Sequence, residues 1–323
     1  MKIDATSRVY VAGCGGMLGA SVYKAMRARG ATVIASDIDV NEDWLTYADV
    51  RDSDEMARQI LDFAPDLLIN LAALTDLEFC ERNPDNAWLT NATAAENLGR
   101  IAKQIDCVYV YISTAGIFDG KQEMYTDFDT PNPLSVYAKS KCQAEMFVCS
   151  SIPKHFVLRA GWMMGGGPNK DKKFINKIYK QLALGSNHLR VVDDKLGTPT
   201  YTVDFAEGLI RVAESGQYGL YNQVCLGTAS RYEVASEFVN LLGLREQVKI
   251  EIVPSDYFAS DYFAPRPASE QLVNLKLFQR GLNVMRDWQV CLAEYAKVFD
   301  NPFGPNTIFP SDQPVHPHAS RLS

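Results

Sequence analysis

The chain is poor in the residues that metal and disulfide chemistry require. Its four histidines are dispersed: His155 precedes an apolar run, His188 lies in a polar turn, and His316 and His318 fall among prolines. Such scatter supports no metal site. The seven cysteines are odd in number and never arranged Cys-x-x-Cys, which points to reduced structural thiols. Basic residues are also in deficit, 32 Lys and Arg against 39 Asp and Glu, for a net charge of -7 and a pI near 5.2. Nucleic acid and anionic membrane both recruit dense Lys/Arg surfaces, so neither is expected as the main partner, and a small molecule is. No apolar stretch approaches the roughly 20 residues of a membrane span. Residues 1–7 carry no apolar signal segment, so a cytoplasmic protein is expected. Internal repeats and low-complexity tracts are absent too.

What is present is enough apolar residue, 47% of 323, to bury a full core. Over the first 160 residues, short β-rich runs at 9–12, 32–36, 67–70, 107–113 and 155–159 alternate with longer amphipathic stretches. That alternation predicts an α/β fold, a Rossmann-type doubly wound parallel sheet with helices on both faces. Beyond Gly161 the pattern loosens. Glycines cluster at 165–167, a helical run covers 174–183, a return to the sheet is expected near 218–225, and 254–267 reads as loop. The expected organisation is a dinucleotide-binding domain at 1–160, a smaller C-terminal substrate lobe at 161–300 with segments returning to the sheet, and a proline-rich tail at 301–323.

Gly13-Cys14-Gly15-Gly16-Met17-Leu18-Gly19 follows the first strand and opens the first helix. Gly13 suits a tight turn, Gly16 a close backbone approach to a pyrophosphate, and Gly19 close helix packing, with the helix amino end facing the anion. A merely structural turn is the bland alternative; the strand-turn-helix context favours the dinucleotide. Asp37, ending the second strand, can accept from adenosine ribose hydroxyls and would repel a 2′-phosphate. NAD(H) is therefore favoured over NADP(H), although Arg51 is close enough in sequence to serve a phosphate. Asp49 and Val50 are expected beside the adenine, and Leu71, Ala72 and Ala73 where small residues let backbone meet the cofactor. Asn91 is either a helix cap or an inner-sheet amide in the cofactor region.

Tyr137 is the only one of fifteen tyrosines with a lysine four residues on, Lys141. Carbonyl reduction needs a proton delivered to the emerging alkoxide, and a phenol can supply it when its pKa is brought down. A spacing of four puts both side chains on one helical face, so the Lys141 ammonium could tune the phenol and bond a nicotinamide ribose, whereas Lys139 would face elsewhere. Ser113 and Thr114 close the fifth strand, and Thr114, 23 residues before Tyr137, could donate to the same substrate oxygen. An amphipathic surface helix is the alternative reading of the Tyr-x-x-x-Lys match.

Together these residues resemble the extended short-chain dehydrogenase/reductases, and most closely the dTDP-4-dehydrorhamnose reductase family. The likeness covers about residues 8–300. It includes Ala64-Pro65-Asp66, Thr75, Asn91-Ala92-Thr93, Ser113-Thr114 with Phe118, and Asp129-Thr130-Pro131-x-Pro133-x-x-x-Tyr137. It continues through Arg159-x-x-Trp162, Gly197-Thr198-Pro199-Thr200, Arg266-Pro267-x-Ser269 and Asp287-Trp288. The resemblance implies NAD(P)H-dependent reduction of a 4-keto group on a nucleotide-activated deoxysugar in polysaccharide biosynthesis, and fits a homodimer. It implies that Trp162 packs against the sugar, that Thr75 lies beside the phosphates or nicotinamide, and that Arg266 holds the diphosphate, for which a planar fork is suited.

The chain departs from the family at Ala115-Gly116, where Asp-Tyr is usual, and at Lys195, where glutamine is usual. Related dehydratases carry an acid pair after that threonine, and the epimerase-reductases that make GDP-fucose carry a cysteine; Ala115 and Gly116 supply neither. Two alternatives stay open. One is a sugar-nucleotide 4-epimerase, which needs only Tyr, Lys and tightly held NAD. The other is a non-catalytic regulatory subunit like the methionine adenosyltransferase β subunit, against which the intact Thr114, Tyr137 and Lys141 argue.

Overall fold

Seven strands, most of them joined by helical stretches that carry the chain back over a face of the sheet, assemble into one parallel sheet. They are β1 (Arg8–Ala12), β2 (Thr32–Asp37), β3 (Leu45–Tyr47), β4 (Leu67–Asn70), β5 (Val108–Thr114), β6 (His155–Ala160) and β7 (Gly219–Asn222). Their order across the sheet is β7-β6-β5-β4-β1-β2-β3. The computed structural model describes residues 1–303, so nearly all of the proline-rich tail expected at 301–323 lies outside the described residues. Five strands fall on the predicted runs to within one residue at either end. The return near 218–225 is β7, parallel to β6 from Gly219 beside Phe156 to Asn222 beside Arg159. β3 has no counterpart among the runs: it is an edge strand of three residues with only Leu45 buried, too short to show a period.

Alternate strand residues feed two cores. Val9, Val11, Leu67, Ile69, Phe156 and Leu158 join a cluster with Val22 and Met26 of α1 (Gly19–Ala28). Tyr10, Leu68, Tyr109, Tyr111 and Val157 join another with α2 (Ser53–Phe63), α3 (Ala94–Gln104) and α4 (Val136–Ser151). Burial on both faces is why the strands read as continuous apolar runs rather than as alternating ones. The sheet reverses its order between β4 and β1, and the crevice at the carboxyl ends of these strands is where an open α/β sheet takes its ligand.

A buried ion pair locks α4 to β6. Arg159 and Glu145 have side chains only 3% and 4% exposed and meet at 2.5 Å, with further contacts at 3.1 and 3.2 Å through Nε. The guanidinium also lies 5.1 Å from the Phe118 ring. Removing one partner leaves a buried charge uncompensated, so Glu145→Ala should destabilise the protein by about 3–5 kcal/mol, read as a lower urea midpoint. Replacing both residues by leucine or methionine should cost far less.

Candidate active site

Three glycines of the loop after β1 have separate roles. Gly13 has φ +74°, and a Cβ there would fall 2.3 Å from the Ala72 nitrogen, so the exits of β1 and β4 pack backbone against backbone. At Gly19 a Cβ would lie 1.8 Å from the Cys14 carbonyl oxygen, which holds α1 against the turn. Gly16 is exposed, and a Cβ there would meet nothing within 4 Å. The first and third glycines are thus demanded by the fold, while the second leaves backbone open. Gly19→Ala should lower the thermal midpoint by many degrees, and Gly16→Ala should shift it hardly at all while weakening NAD(P)H binding in titration calorimetry. Leu18 is buried and Met17 half-buried, so Leu18 at least could meet a ligand only through its backbone.

Asp37 closes the loop from the end of β2, one carboxylate oxygen accepting from the Gly15 N–H at 2.8 Å and the other from that of Asp39 at 2.9 Å. Arg51, the candidate reader of a 2′-phosphate, is engaged by Asp49 at 2.6 Å. Val50 is buried beside them in the β4-side core. Past β4, the Leu71 N–H donates to Ala12 at 2.8 Å and that of Ala72 to the Asn70 side chain at 3.0 Å, so Leu71, Ala72 and Ala73 form a half-buried ledge beside the glycine loop.

Asn91 is neither cap nor sheet amide. It is buried in a π-helical segment, Leu89–Thr93, that leads into α3. Its carboxamide accepts from the Leu74 N–H at 2.8 Å, donates to the Leu74 carbonyl at 3.0 Å, and donates to the Ser140 hydroxyl at 3.2 Å. One side chain thereby ties the ledge after β4 to the helix bearing Tyr137 and Lys141, and a single wide turn is a common device for aiming a residue in this way.

Ser135 caps α4 by accepting from the Ala138 N–H at 3.2 Å, which sets Tyr137 in the first helical turn beside the end of β5. The Thr114 side chain lies beside the Tyr137 phenol and pulls against the effect of its burial, while the Thr114 hydroxyl accepts from the Gly116 N–H at 3.1 Å. Lys141 is buried; its ammonium donates to the Ile112 carbonyl at 2.6 Å and stands 4.2 Å over the Tyr111 ring, while Lys139 is exposed. Burial pushes the phenol up to about 12 and the ammonium down to about 7. In the free protein the ammonium is aimed at strand β5, and Thr114 supplies the pull that opposes burial of the phenol.

Around this centre Trp162, Thr75 and Arg266 are already engaged by protein partners. Trp162 donates through Nε1 to Glu270 at 2.6 Å, and the Arg231 guanidinium lies 3.5 Å from the indole. The Gly197-Thr198-Pro199-Thr200 segment seats it: the Thr198 carbonyl accepts from the Trp162 N–H at 2.9 Å, and a Cβ on Gly197 would fall 2.2 Å from the indole ring. Thr75 is bridged by Lys173 at 3.0 Å, and Arg266 makes a two-pronged pair with Glu78 at 2.7 and 2.9 Å. Glu270, Arg231, Lys173 and Glu78 were not among the sequence candidates. Glu270 directly follows the Arg266-Pro267-x-Ser269 motif, its one local signal; the others have none.

A dinucleotide fits this arrangement on three counts. Gly16 leaves backbone open, and among the described residues the buried Ser113 hydroxyl has no partner and the buried Lys141 ammonium holds a single acceptor for its three protons. Among the described residues no three His, Cys, Asp or Glu side chains group as metal ligands, and no helix is long and apolar enough to cross a membrane.

Fold and site define an extended short-chain dehydrogenase/reductase, with a glycine-rich nucleotide loop and a Tyr-x-x-x-Lys centre. A family model described as the RmlD substrate binding domain matches residues 7–301, and the chain belongs to that dTDP-4-dehydrorhamnose reductase family. It is 31% identical over 291 residues to the spore coat polysaccharide biosynthesis protein SpsK of Bacillus subtilis, covering 90% of this chain and 96% of that one. It is 30% identical over 294 residues to a dTDP-4-dehydrorhamnose reductase of Mycobacterium tuberculosis, covering 89% and 92%. Among solved structures, a dTDP-4-dehydrorhamnose reductase from Clostridium acetobutylicum superposes with a TM-score of 0.82 at 30% identity, covering 90% of this chain and 99% of the other.

Proposed function

We propose that this protein reduces a 4-keto group on a nucleotide-activated deoxysugar, with NAD(P)H as reductant, in the synthesis of a polysaccharide precursor. The observation that carries the reading is the convergence of the Thr114 and Tyr137 hydroxyls, backed by the buried Lys141, at the end of β5 in the same crevice as the open glycine. A reduced nicotinamide, when bound, supplies the hydride. Tyr137 gives its proton to the carbonyl oxygen as that oxygen gains charge, and a phenol held near 12 is protonated at working pH, as an acid must be. Thr114 fixes the same oxygen by donating to it, one of its own lone pairs already engaged by the Gly116 N–H. Lys141, with two protons uncommitted, is the group to hold a ribose hydroxyl and to return charge to the phenolate left behind. Ser113, Leu71, Ala72 and Ala73 line the nicotinamide side, and Gly13, Gly16, Met17, Leu18, Gly19, Asp37, Asp49 and Val50 the adenosine and pyrophosphate side, with Asn91 bracing both. Trp162, Thr75 and Arg266 face the nucleotide sugar. For Arg266 to grip a diphosphate, it must exchange or share Glu78, which its second face allows.

The test is direct. Protein mixed with NADH or NADPH and dTDP-4-keto-6-deoxy-L-mannose should consume the reduced cofactor, followed by its absorbance. No turnover with that compound or any related keto-sugar nucleotide would reject the reading.

A further inference from the structure

Gly116 stands two residues beyond Thr114, and the space a side chain would take there is filled from far along the chain. A Cβ built on Gly116 would lie 3.2 Å from Glu270 Oε1 and 3.5 Å from Thr114 Oγ1, so the carboxylate and the candidate carbonyl-orienting hydroxyl flank one point. Glu270 is held rigidly. Its Oε2 accepts from the Trp162 indole N–H at 2.6 Å, and that ring is fixed by Gly197 against it and by Arg231 at 3.5 Å. Oε1 has no protein hydrogen-bond donor among the described residues. A preorganised acceptor is thus left open beside the hydroxyls that would handle a ketone, and its negative charge acts on Tyr137.

We propose that Glu270 is a specificity-determining residue: its free carboxylate oxygen, seated in the space left by Gly116, accepts a hydrogen bond from a ring hydroxyl of the substrate sugar. This rests on the reductase reading above, since a 4-keto-6-deoxysugar with its ketone placed at Thr114 and Tyr137 carries a hydroxyl on the neighbouring C3 and another on C2, and a carboxylate at this distance discriminates for one of them. The residue at 116 must then be small, because any side chain there displaces the carboxylate.

Titration calorimetry of the full-length protein with dTDP, dTDP-L-rhamnose and the 2-deoxy and 3-deoxy analogues of the latter tests the assignment. Wild type should bind dTDP-L-rhamnose better than dTDP and lose about 10- to 100-fold in affinity when the contacted hydroxyl is removed, the range for a hydrogen bond to a charged group. Glu270→Ala should lose as much toward dTDP-L-rhamnose and nothing more toward the analogue. Gly116→Ala, which leaves Trp162 and Glu270 intact, should erode the same discrimination by crowding Oε1. A purely structural Glu270 would lower affinity for all four ligands equally, and that result would overturn the proposal. Equal affinity of wild type for dTDP and dTDP-L-rhamnose would also overturn it while leaving the reductase reading standing. Failure to bind dTDP at all would remove both.

Discussion

Replacing Tyr137 by phenylalanine should reduce turnover of a keto-sugar nucleotide by about 10²–10⁴-fold, the usual worth of a positioned general acid, while NAD(P)H binds within a few-fold of wild type. The separation follows from where the hydroxyl sits. The phenol stands beside the Thr114 side chain, and the ring itself keeps its place in the first turn of α4 because Ser135 and Glu81 cap that turn, Glu81 accepting from the Val136 N–H at 2.8 Å. Phenylalanine preserves the ring and loses one proton donor. Thr114→Val tests the partner role and should cost less than the Tyr137 replacement, because it removes orientation and leaves the proton. Stopped-flow traces that show unchanged cofactor binding with no hydride transfer would match the assignment. A Tyr137→Phe enzyme with near wild-type kcat would remove the phenol from the chemistry.

The parts of this site that depend on neighbours in sequence were legible before any coordinates. The glycine loop, the Ser113-Thr114 strand end and the four-residue Tyr-Lys spacing each encode local geometry: a turn, a strand terminus, a helical face. Six of the seven strands were legible, five as the unbroken apolar runs that burial on both faces leaves and β7 as a return to the sheet. The remainder depends on distance along the chain. Trp162 meets Glu270 across 108 positions, Lys173 meets Thr75 across 98, and Arg266 meets Glu78 across 188. No pattern announces such partners, so Arg266 could be read as a diphosphate ligand or as a salt bridge, and in the free protein it forms the salt bridge. Asn91 shows a different limit: a π turn has no sequence period of its own, and its carboxamide could be placed only once the chain segments around it were. Lys141 shows a third. Spacing put it on the face of Tyr137, but the direction of the ammonium, toward Ile112, is set by burial and by the carbonyl within reach.

Lys141→Met should abolish turnover and at the same time make the free protein more stable at neutral pH. Burial holds the folded-state pKa of Lys141 at about 7, below its ordinary value of 10.5. The unfolded chain therefore binds more protons between pH 7 and 10.5, and wild-type stability attributable to this group rises with pH across that window. Below about pH 7 both states are charged and the full desolvation cost of the ammonium is borne by the folded protein; above about 10.5 neither is charged and the cost vanishes. Methionine matches the length of the stem and carries no charge. Relief of the desolvation cost is worth about 4 kcal/mol at pH 7, and with about 1 kcal/mol taken off for the lost donor to the Ile112 carbonyl the gain should be on the order of 3 kcal/mol. Urea denaturation of both proteins at pH 6, 8 and 10 should show the variant ahead at pH 6, with the gap closing toward pH 10; parallel curves would mean that the ammonium is not desolvated. A residue that weakens the empty fold and is kept in its interior fits one whose charge is needed by a ligand. On this account kcat/KM for NAD(P)H, which reports the free protein, should fall as pH rises through about 7, where the ammonium gives up its proton, while the phenol imposes no loss until near 12.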